Sequence, residues 1–142
     1  MIFSKEFEKE KIEKAFNLIK EADFILIGAG SGLSTAAGID YGGEEFREDF
    51  CDFIQKYGFS DLYTSSFYDF ASNEEYWAYW AKHIAFANTH REGLALYKNI
   101  YQAVKEKEYF VVTTNVDDQF YKTGFDKEKI FRVQRKLSND TV

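Results

Sequence analysis

The sequence predicts an α/β fold in which a partial parallel sheet has helices on both faces and carries a helical, aromatic-rich insertion. Two short runs, residues 24–27 and 109–113, are continuously apolar, as is typical of buried parallel strands. Apolar side chains recur at helical intervals before and between these runs. The 142 residues, 45% of them hydrophobic, are enough for one domain with a core.

The first helix is predicted to run from a Ser4 cap to about Glu21, because charged and apolar residues recur there with a helical period. Ile12, Phe16 and Ile19 fall on one side and are expected to face the core. Lysines and glutamates cover the other side, which we interpret as solvated. The first strand, residues 24–27, follows directly.

Three glycines at alternate positions come after this strand: Gly28, Gly30 and Gly32. They allow a sharp turn, and Ser34 with the small residues after it is suited to opening a helix. A strand, a glycine turn and a helix N-terminus form the Rossmann-like arrangement that holds the pyrophosphate of a dinucleotide. The usual third glycine of that motif is absent, so a tight connection that binds nothing is the alternative.

The insertion between the two strands carries most of the aromatic residues of the chain, which has 15 Phe and 10 Tyr. Helices are predicted over residues 45–57, 72–88 and 93–107, with short helices and turns over 59–70. Cys51 is expected to be a small core residue, and His83 and His90 to have structural or surface roles. The aromatic side chains of the helix over 72–88 are expected to form core, or alternatively to line a groove for an acceptor: Tyr76, Trp77, Tyr79, Trp80 and Phe86.

A second polar motif, TTNVDD over residues 113–118, lies at the carboxyl end of the second strand. Ligands of open α/β sheets bind at this end of the strands. Asn115 offers an amide donor and acceptor and Asp117 a carboxylate, which suit a carboxamide and sugar hydroxyls. A helix cap after the strand is the alternative reading of the motif. A short helix is predicted to follow from Asp117, and a third strand over 130–133.

Composition and charge exclude several classes of function. The net charge is −6 and no basic stripe is present, so nucleic acid is not an expected partner. No apolar run is long enough to cross a membrane and no secretory signal precedes the first helix, which points to the cytoplasm. The single cysteine excludes an internal disulfide and a CxxC-type zinc site, and no metal is expected within this chain.

In order and spacing, these motifs resemble the sirtuin family, whose members use NAD as co-substrate. Residues 30–34 (GSGLS) followed by Gly38 and Ile39 look like the family's GAGIS…SGIP segment, and Phe46-Arg47 like its Phe-Arg pair. Residues 113–117 (TTNVD) look like its TQNID. Residues 130–134 (IFRVQ) fall where the family has a short strand ending in His-Gly. The resemblance covers roughly residues 10 to 134.

Two departures from the family pattern indicate which branch the chain resembles. Asp40 replaces the proline of the GIP motif, and Gln134 replaces the catalytic histidine. A glutamine amide does not accept a proton near neutral pH, so Gln134 cannot be the general base that deacylation requires of that histidine. The pattern is similar to the macrodomain-linked bacterial sirtuins, which are protein ADP-ribosyltransferases acting on lipoylated carrier proteins.

The resemblance implies roles for nine residues. Four of them would approach the pyrophosphate of NAD: Gly30, Ser31, Gly32 and Ser34. Phe46 and Arg47 would lie near the ribose that is cleaved from nicotinamide. Asn115 and Asp117 would hold that ribose and the carboxamide, while Gln134 would position the acceptor. Loss of nicotinamide develops positive charge on the ribose, which carboxylate and amide dipoles stabilise without a base.

Sirtuin catalytic cores are considerably longer than this chain. We therefore expect residues 1–142 to form a single but incomplete sirtuin-like NAD-binding domain, with an irregular tail over 135–142. Three functions remain open: an ADP-ribosyltransferase acting on a lipoylated carrier, an NAD-dependent deacylase acting on an acyl-lysine protein, and a non-catalytic remnant. A homo-oligomer that covers an exposed sheet edge is expected for the last of these.

Overall fold

The computed structural model describes residues 2–134, with side chains described from Glu8 onward, so the tail predicted over 135–142 lies outside the described residues. Three strands form one parallel sheet in the order β1 (Phe24–Ala29), β2 (Glu108–Thr113) and β3 (Ile130–Arg132). Their register pairs Ile25 with Tyr109 and Val111 with Ile130. The predicted α/β class and parallel sheet are confirmed, with strand ends within two residues of those expected.

The helices occupy the segments before, between and after the strands. They are α1 (Ile2–Glu21), α2 (Ser31–Ala36), α3 (Glu44–Asp49), α4 (Cys51–Tyr57), α5 (Leu62–Ser65), α6 (Asn73–Ile84), α7 (Ala95–Val104) and α8 (Gln119–Lys122), with a π-helix at Ala85–Thr89 and a 3₁₀ turn at Lys127–Lys129. The single helix predicted over 45–57 is two helices, because the backbone of Phe50 (φ −104°, ψ 19°) leaves the helical region between them. Ser72 caps α6, accepting a hydrogen bond from Glu75 N at 3.3 Å, so the helix begins within one residue of its predicted start.

A cluster of aromatic side chains forms the core of the insertion between β1 and β2. Phe46, Phe50 and Tyr79 are completely buried, and Phe86 is 3% exposed. The ring of Phe50 stacks on Phe46 at 5.0 Å and meets Phe86 edge-on at 5.7 Å. Such pairs add to the free energy of area burial, so this region has a core of its own. The predicted aromatic-rich helical insertion is confirmed.

A second core lies between one face of the sheet and the helices α7, α8 and α2. Its buried members are Tyr97, Val104, Tyr109, Val111, Phe120 and Phe125. The opposite face of the sheet is open among the described residues, where Phe24, Leu26 and Phe131 are 57%, 65% and 57% exposed. The side chains that alternate along β1 and β2 therefore differ in burial from one face to the other.

Several local predictions about the first helix and the cysteine are wrong. The helix α1 begins at Ile2, so Ser4 lies within its first turn instead of capping it. Ile12 and Phe16 are 69% and 65% exposed, because α1 does not pack its apolar side against the described core. Cys51 is exposed, since the inward positions around it are taken by larger aromatic side chains. No helix in the described part of the chain is long and apolar enough to cross a membrane.

Candidate functional site

The carboxyl ends of the three strands meet at one edge of the sheet, and the polar motifs follow directly from them. Gly30 comes one residue after β1, and Asn115 and Gln134 come two residues after β2 and β3. A hydrogen bond from Asn115 Nδ2 to the Gly30 carbonyl, at 3.0 Å, joins the first two of these loops. This is the edge at which open α/β sheets bind ligands, so parallel pairing alone brings the two predicted motifs together.

A cavity of about 470 Å³ opens beside this edge. Its polar wall is formed by side chains from the glycine segment, from the loop after β2 and from the end of the described chain: Ser31, Thr35, Tyr41, Thr114, Asn115 and Gln134. Aromatic and aliphatic side chains from the insertion form the other wall: Leu62, Tyr63, Phe67, Trp80 and His83, among others. A cavity of this volume with a few convergent polar groups has the character of a small-molecule site.

Four buried polar side chains form one hydrogen-bonded network behind the cavity: Ser34, Tyr97, Asn115 and Asp117, none of them more than 8% exposed. Ser34 Oγ donates to Asp117 Oδ2 at 2.5 Å and lies 3.0 Å from Tyr97 Oη. Asn115 Nδ2 donates to Ser34 Oγ at 3.0 Å and to Tyr97 Oη at 3.1 Å. The network joins α2, α7 and the loop after β2, and it fixes the orientation of each member.

The carboxylate of Asp117 is held in this network as a buried negative charge. Besides Ser34, it accepts a hydrogen bond at Oδ1 from Gln119 N at 3.1 Å, at the start of α8, and Tyr97 Oη lies 3.4 Å from Oδ2. These donors offset part of the cost of burying the carboxylate. Burial raises the pKa of Tyr97 to about 12, with the Asp117 charge as a smaller contribution in the same direction. The phenol therefore stays protonated at neutral pH and serves as a hydrogen-bond donor.

The amide of Asn115 is bonded through its nitrogen and not through its oxygen among the described residues. The two protons of its nitrogen are shared among Gly30 O, Ser34 Oγ and Tyr97 Oη, all within 3.1 Å, which fixes the plane of the amide. Its oxygen has no hydrogen-bond partner among the described residues, and no described side-chain nitrogen or oxygen atom is both buried and without a partner. Asn115 Oδ1 is therefore accessible, and because Asn115 lines the cavity, a ligand there can donate a hydrogen bond to it.

The glycine segment contributes unequally to the cavity. Gly30 is the N-cap of α2, which begins at Ser31, three residues before the predicted opening at Ser34. Ser31 lines the cavity, whereas Ser34 is completely buried and faces the network. A Cβ built on Gly32 would have no atom within 4 Å, so its backbone is open to an approaching group. Ser34 thus supports the site from behind while Ser31 faces it.

The structure does not bring Phe46 and Arg47 to the cavity. Phe46 is completely buried in the aromatic core, and Arg47 is exposed on the outer side of α3. Neither side chain is part of the cavity wall. Their expected contact with a ribose remains a prediction, as do the roles of the other residues in this motif.

An ion pair connects the third strand to the loop that carries Asn115. Arg132 Nη1 donates to Asp118 Oδ1 at 2.6 Å, and the two side chains are 15% and 13% exposed. Asn88 Nδ2 donates to the other carboxylate oxygen at 3.0 Å. Asp118 has φ 57°, a left-handed conformation that aspartate tolerates better than most residues. Because Arg132 lies two residues before Gln134, this pair links the end of β3 to the loop after β2, in addition to the backbone pairing of the two strands.

Three residues that contribute to the site were given no part in it by the sequence: Tyr97, Asp118 and His83. Tyr97 belongs to no motif, although it lies on the inward face of a helix that was predicted correctly, and Asp118 lies in the TTNVDD motif but was given no role there. His83, expected in a structural or surface role, lines the cavity with Trp80, as the alternative of an acceptor groove allows. No three His, Cys, Asp or Glu side chains within the described residues are arranged to hold a metal ion.

Comparison with known proteins gives two relatives, and no family model matches the chain. The chain is 37% identical over 116 residues to a protein ADP-ribosyltransferase of Staphylococcus aureus, an alignment that covers 82% of this chain and 37% of that protein. It is 30% identical over 116 residues to a probable bifunctional ADP-ribose hydrolase/ADP-ribosyltransferase of Fusarium oxysporum f. sp. cubense, covering 79% of this chain and 19% of that protein. The chain thus spans between about a fifth and two fifths of the length of these relatives, both of which carry ADP-ribosyltransferase in their names.

Proposed function

We propose that this chain forms the NAD-binding part of a sirtuin-type protein ADP-ribosyltransferase, which moves ADP-ribose from NAD to a lipoylated carrier protein and releases nicotinamide. The observation that carries the proposal is the convergence of Asn115 and Gln134 on one cavity, with the Ser34–Asp117 pair directly behind it. The names of the two relatives support the transfer reaction. The single cysteine is compatible with the cytoplasm, where we place the reaction.

The proposed binding of NAD uses neutral groups. Among the described residues that line the cavity there is no Lys, Arg, Asp or Glu. The pyrophosphate would therefore be held by backbone amides near Gly30 and Gly32 and by the hydroxyls of Ser31 and Thr35. Asn115 Oδ1 would accept a hydrogen bond from the carboxamide of nicotinamide, because it is the accessible acceptor that the network holds rigid.

In the proposed reaction the bond between nicotinamide and ribose C1′ breaks, and its electron pair leaves with nicotinamide. A bond forms between C1′ and the acceptor atom, which loses its proton. The buried carboxylate of Asp117 stabilises the positive charge that develops on the ribose, and this electrostatic contribution requires no reorganisation because its donors already fix it. Gln134 lines the cavity and would orient the acceptor by hydrogen bonding.

The competing deacylase reaction requires a base at the position of Gln134, and a glutamine amide is not one. The two activities separate in one experiment with the full chain. NAD labelled in its adenylate phosphate is incubated with a lipoylated carrier protein of the glycine-cleavage H type, and in parallel with an acetyl-lysine peptide. Label on the carrier supports transfer, whereas nicotinamide release that depends on the acetyl peptide overturns it in favour of deacylation.

A pair of asparagine variants tests whether the cavity is the site of this reaction. Asn115→Ala is expected to lower the transfer rate by roughly 10²–10³-fold, the usual effect of removing one oriented electrostatic group. Asn99→Ala, on the exposed side of α7, is the matched control and is expected to leave the rate unchanged.

Calorimetry that detects no NAD binding at millimolar concentration would contradict both activities and favour a non-catalytic protein. The homo-oligomer expected for that non-catalytic alternative would cover an exposed sheet edge, and sedimentation at several concentrations tests it.

A further inference from the structure

His83 lies on α6 with its ring held on two sides. Its Nδ1 is 3.0 Å from Tyr79 Oη, and its ring stacks on Trp80 with the centroids 4.8 Å apart and the planes 30° from parallel. The same side chain lines the cavity that Asn115 and Gln134 line. An imidazole that is fixed by its neighbours and borders a ligand cavity has the geometry of a residue that handles a proton.

The hydrogen bonds of Tyr79 determine which nitrogen of His83 carries the proton. Tyr79 Oη lies 3.2 Å from the carbonyl oxygen of Leu62, which can only accept, so the single hydroxyl proton is donated there. With this assignment the phenolic oxygen is an acceptor, and His83 Nδ1 donates to it at 3.0 Å. Nε2 is left with a lone pair. In this arrangement Tyr79 orients the imidazole through Nδ1, and Nε2 is the nitrogen that can accept a proton.

The Nε2 atom is also accessible. It has no hydrogen-bond partner among the described residues, and every buried side-chain nitrogen or oxygen in that part of the chain has one. Burial of the ring lowers the pKa of His83 to about 4, with no neighbouring carboxylate or cation as a cause. Lys82, the adjacent cation on α6, lies instead over the ring of Phe50 at 5.5 Å. At neutral pH the imidazole is therefore uncharged, with its lone pair available.

We propose that His83 Nε2 accepts the proton that the acceptor group loses during ADP-ribosyl transfer, so that α6 supplies the base that the strand end at Gln134 lacks. The inference rests on the proposed function. When the acceptor atom bonds to ribose C1′ and nicotinamide departs with the bonding electrons, the acceptor's proton passes to Nε2 and gives an imidazolium. The imidazolium then releases its proton to water when the product leaves.

A weak base is sufficient for this step. The acceptor's proton becomes strongly acidic as the acceptor bonds to a carbon that carries positive charge, so proton loss is late and an imidazole of low basicity can receive it. The apolar wall beside His83, formed by Leu62 and Trp80, limits competition from water. The acceptors that suit the site are thus neutral thiol, hydroxyl or amine groups that carry a proton to lose.

His83→Asn tests the proposal, because the asparagine amide can donate to Tyr79 as Nδ1 does but leaves no base at the Nε2 position. The expected result is a transfer rate lower by roughly 10²–10⁴-fold, with the dissociation constant of NAD within about twofold of wild type. His90→Asn makes the same chemical change at the other histidine of the chain, which is exposed and outside the cavity wall. It is expected to leave both quantities unchanged.

Rescue distinguishes a lost base from a lost fold. His83→Ala removes the whole ring, and added imidazole is expected to restore a saturable fraction of its transfer rate. Transfer by His83→Asn within threefold of wild type would overturn the proposal. So would a parallel loss of NAD affinity in both variants without rescue, which would show a structural role. Absence of transfer from the wild-type chain would instead contradict the proposed function, and the inference would fall with it.

Discussion

Replacing Tyr97 with Phe removes one hydroxyl from the centre of the buried network and leaves the ring in place. The ring is completely buried and meets Phe120 edge-on at 5.0 Å, so the packing of α7 against α8 is retained. The hydroxyl contacts Ser34 Oγ at 3.0 Å, Asn115 Nδ2 at 3.1 Å and Asp117 Oδ2 at 3.4 Å. The substitution therefore tests whether this network stabilises the fold.

The structure limits the size of the effect. Ser34 still donates to Asp117 at 2.5 Å, and Asn115 still donates to Gly30 at 3.0 Å, so no partner is left without a hydrogen bond. Two well-formed hydrogen bonds are lost, each with a net contribution of about 0.5–1.5 kcal/mol. We expect Tyr97→Phe to lower the free energy of unfolding by about 1–3 kcal/mol, which corresponds to a Tm lower by roughly 3–10 °C.

Urea unfolding followed by the fluorescence of Trp77 and Trp80 measures this difference. The matched control is Tyr101→Phe, one turn further along α7, because the Tyr101 hydroxyl has no hydrogen bond among the described residues while its ring packs on Phe125 at 5.1 Å. We expect the control to change the free energy of unfolding by less than about 0.5 kcal/mol. Equal effects of the two substitutions would refute the network as a source of stability. A loss above about 4 kcal/mol for Tyr97→Phe would show that ring packing had been disturbed.

Three further outcomes are expected. Burial lowers the pKa of His83 to about 4, so the neutral form of the imidazole favours folding. The stability that it contributes is present above about pH 6.5 and is lost as the pH falls toward 4. NMR titration of the imidazole should give a midpoint near 4, and a midpoint near 6.5 would contradict the burial. Asp118→Ala removes the carboxylate partner of Arg132, whose side chain is only 15% exposed, and should lower the free energy of unfolding by about 3 kcal/mol. Glu108→Ala removes a more exposed ion pair and should lower it by less than about 1 kcal/mol. Leu26→Gln, at a position 65% exposed, should change it by less than about 0.5 kcal/mol; a larger loss in urea unfolding would mean that something covers this sheet face in solution.

The parts of the fold that follow from local pattern were predictable from the sequence. The strands β1 and β2 are short runs rich in apolar and β-branched residues, and the glycine turn after β1 depends on adjacent residues alone. Parallel pairing brings the polar residues after each strand to one edge, which is why the glycine segment and Asn115 were expected at a common site, whereas Gln134 was added by the resemblance to the sirtuin family. Local pattern was misleading for α1. The apolar side chains on one side of this helix, Phe16 among them, predict that this side is buried, but the pattern does not identify which element packs against it.

The site residues that were missed depend on contacts between distant parts of the chain. Tyr97 is 63 residues from Ser34 and 20 from Asp117, and nothing in the sequence around it distinguishes a hydroxyl that joins a network from a core phenol. His83 differs from an ordinary helix histidine only through the Leu62 carbonyl, which determines the proton donor at Tyr79 and so the free nitrogen of the imidazole. The chemistry of such a site is set by which side chain holds which proton. That is a property of the packed insertion against the sheet edge, so a motif can locate the cavity while leaving the base within it unidentified.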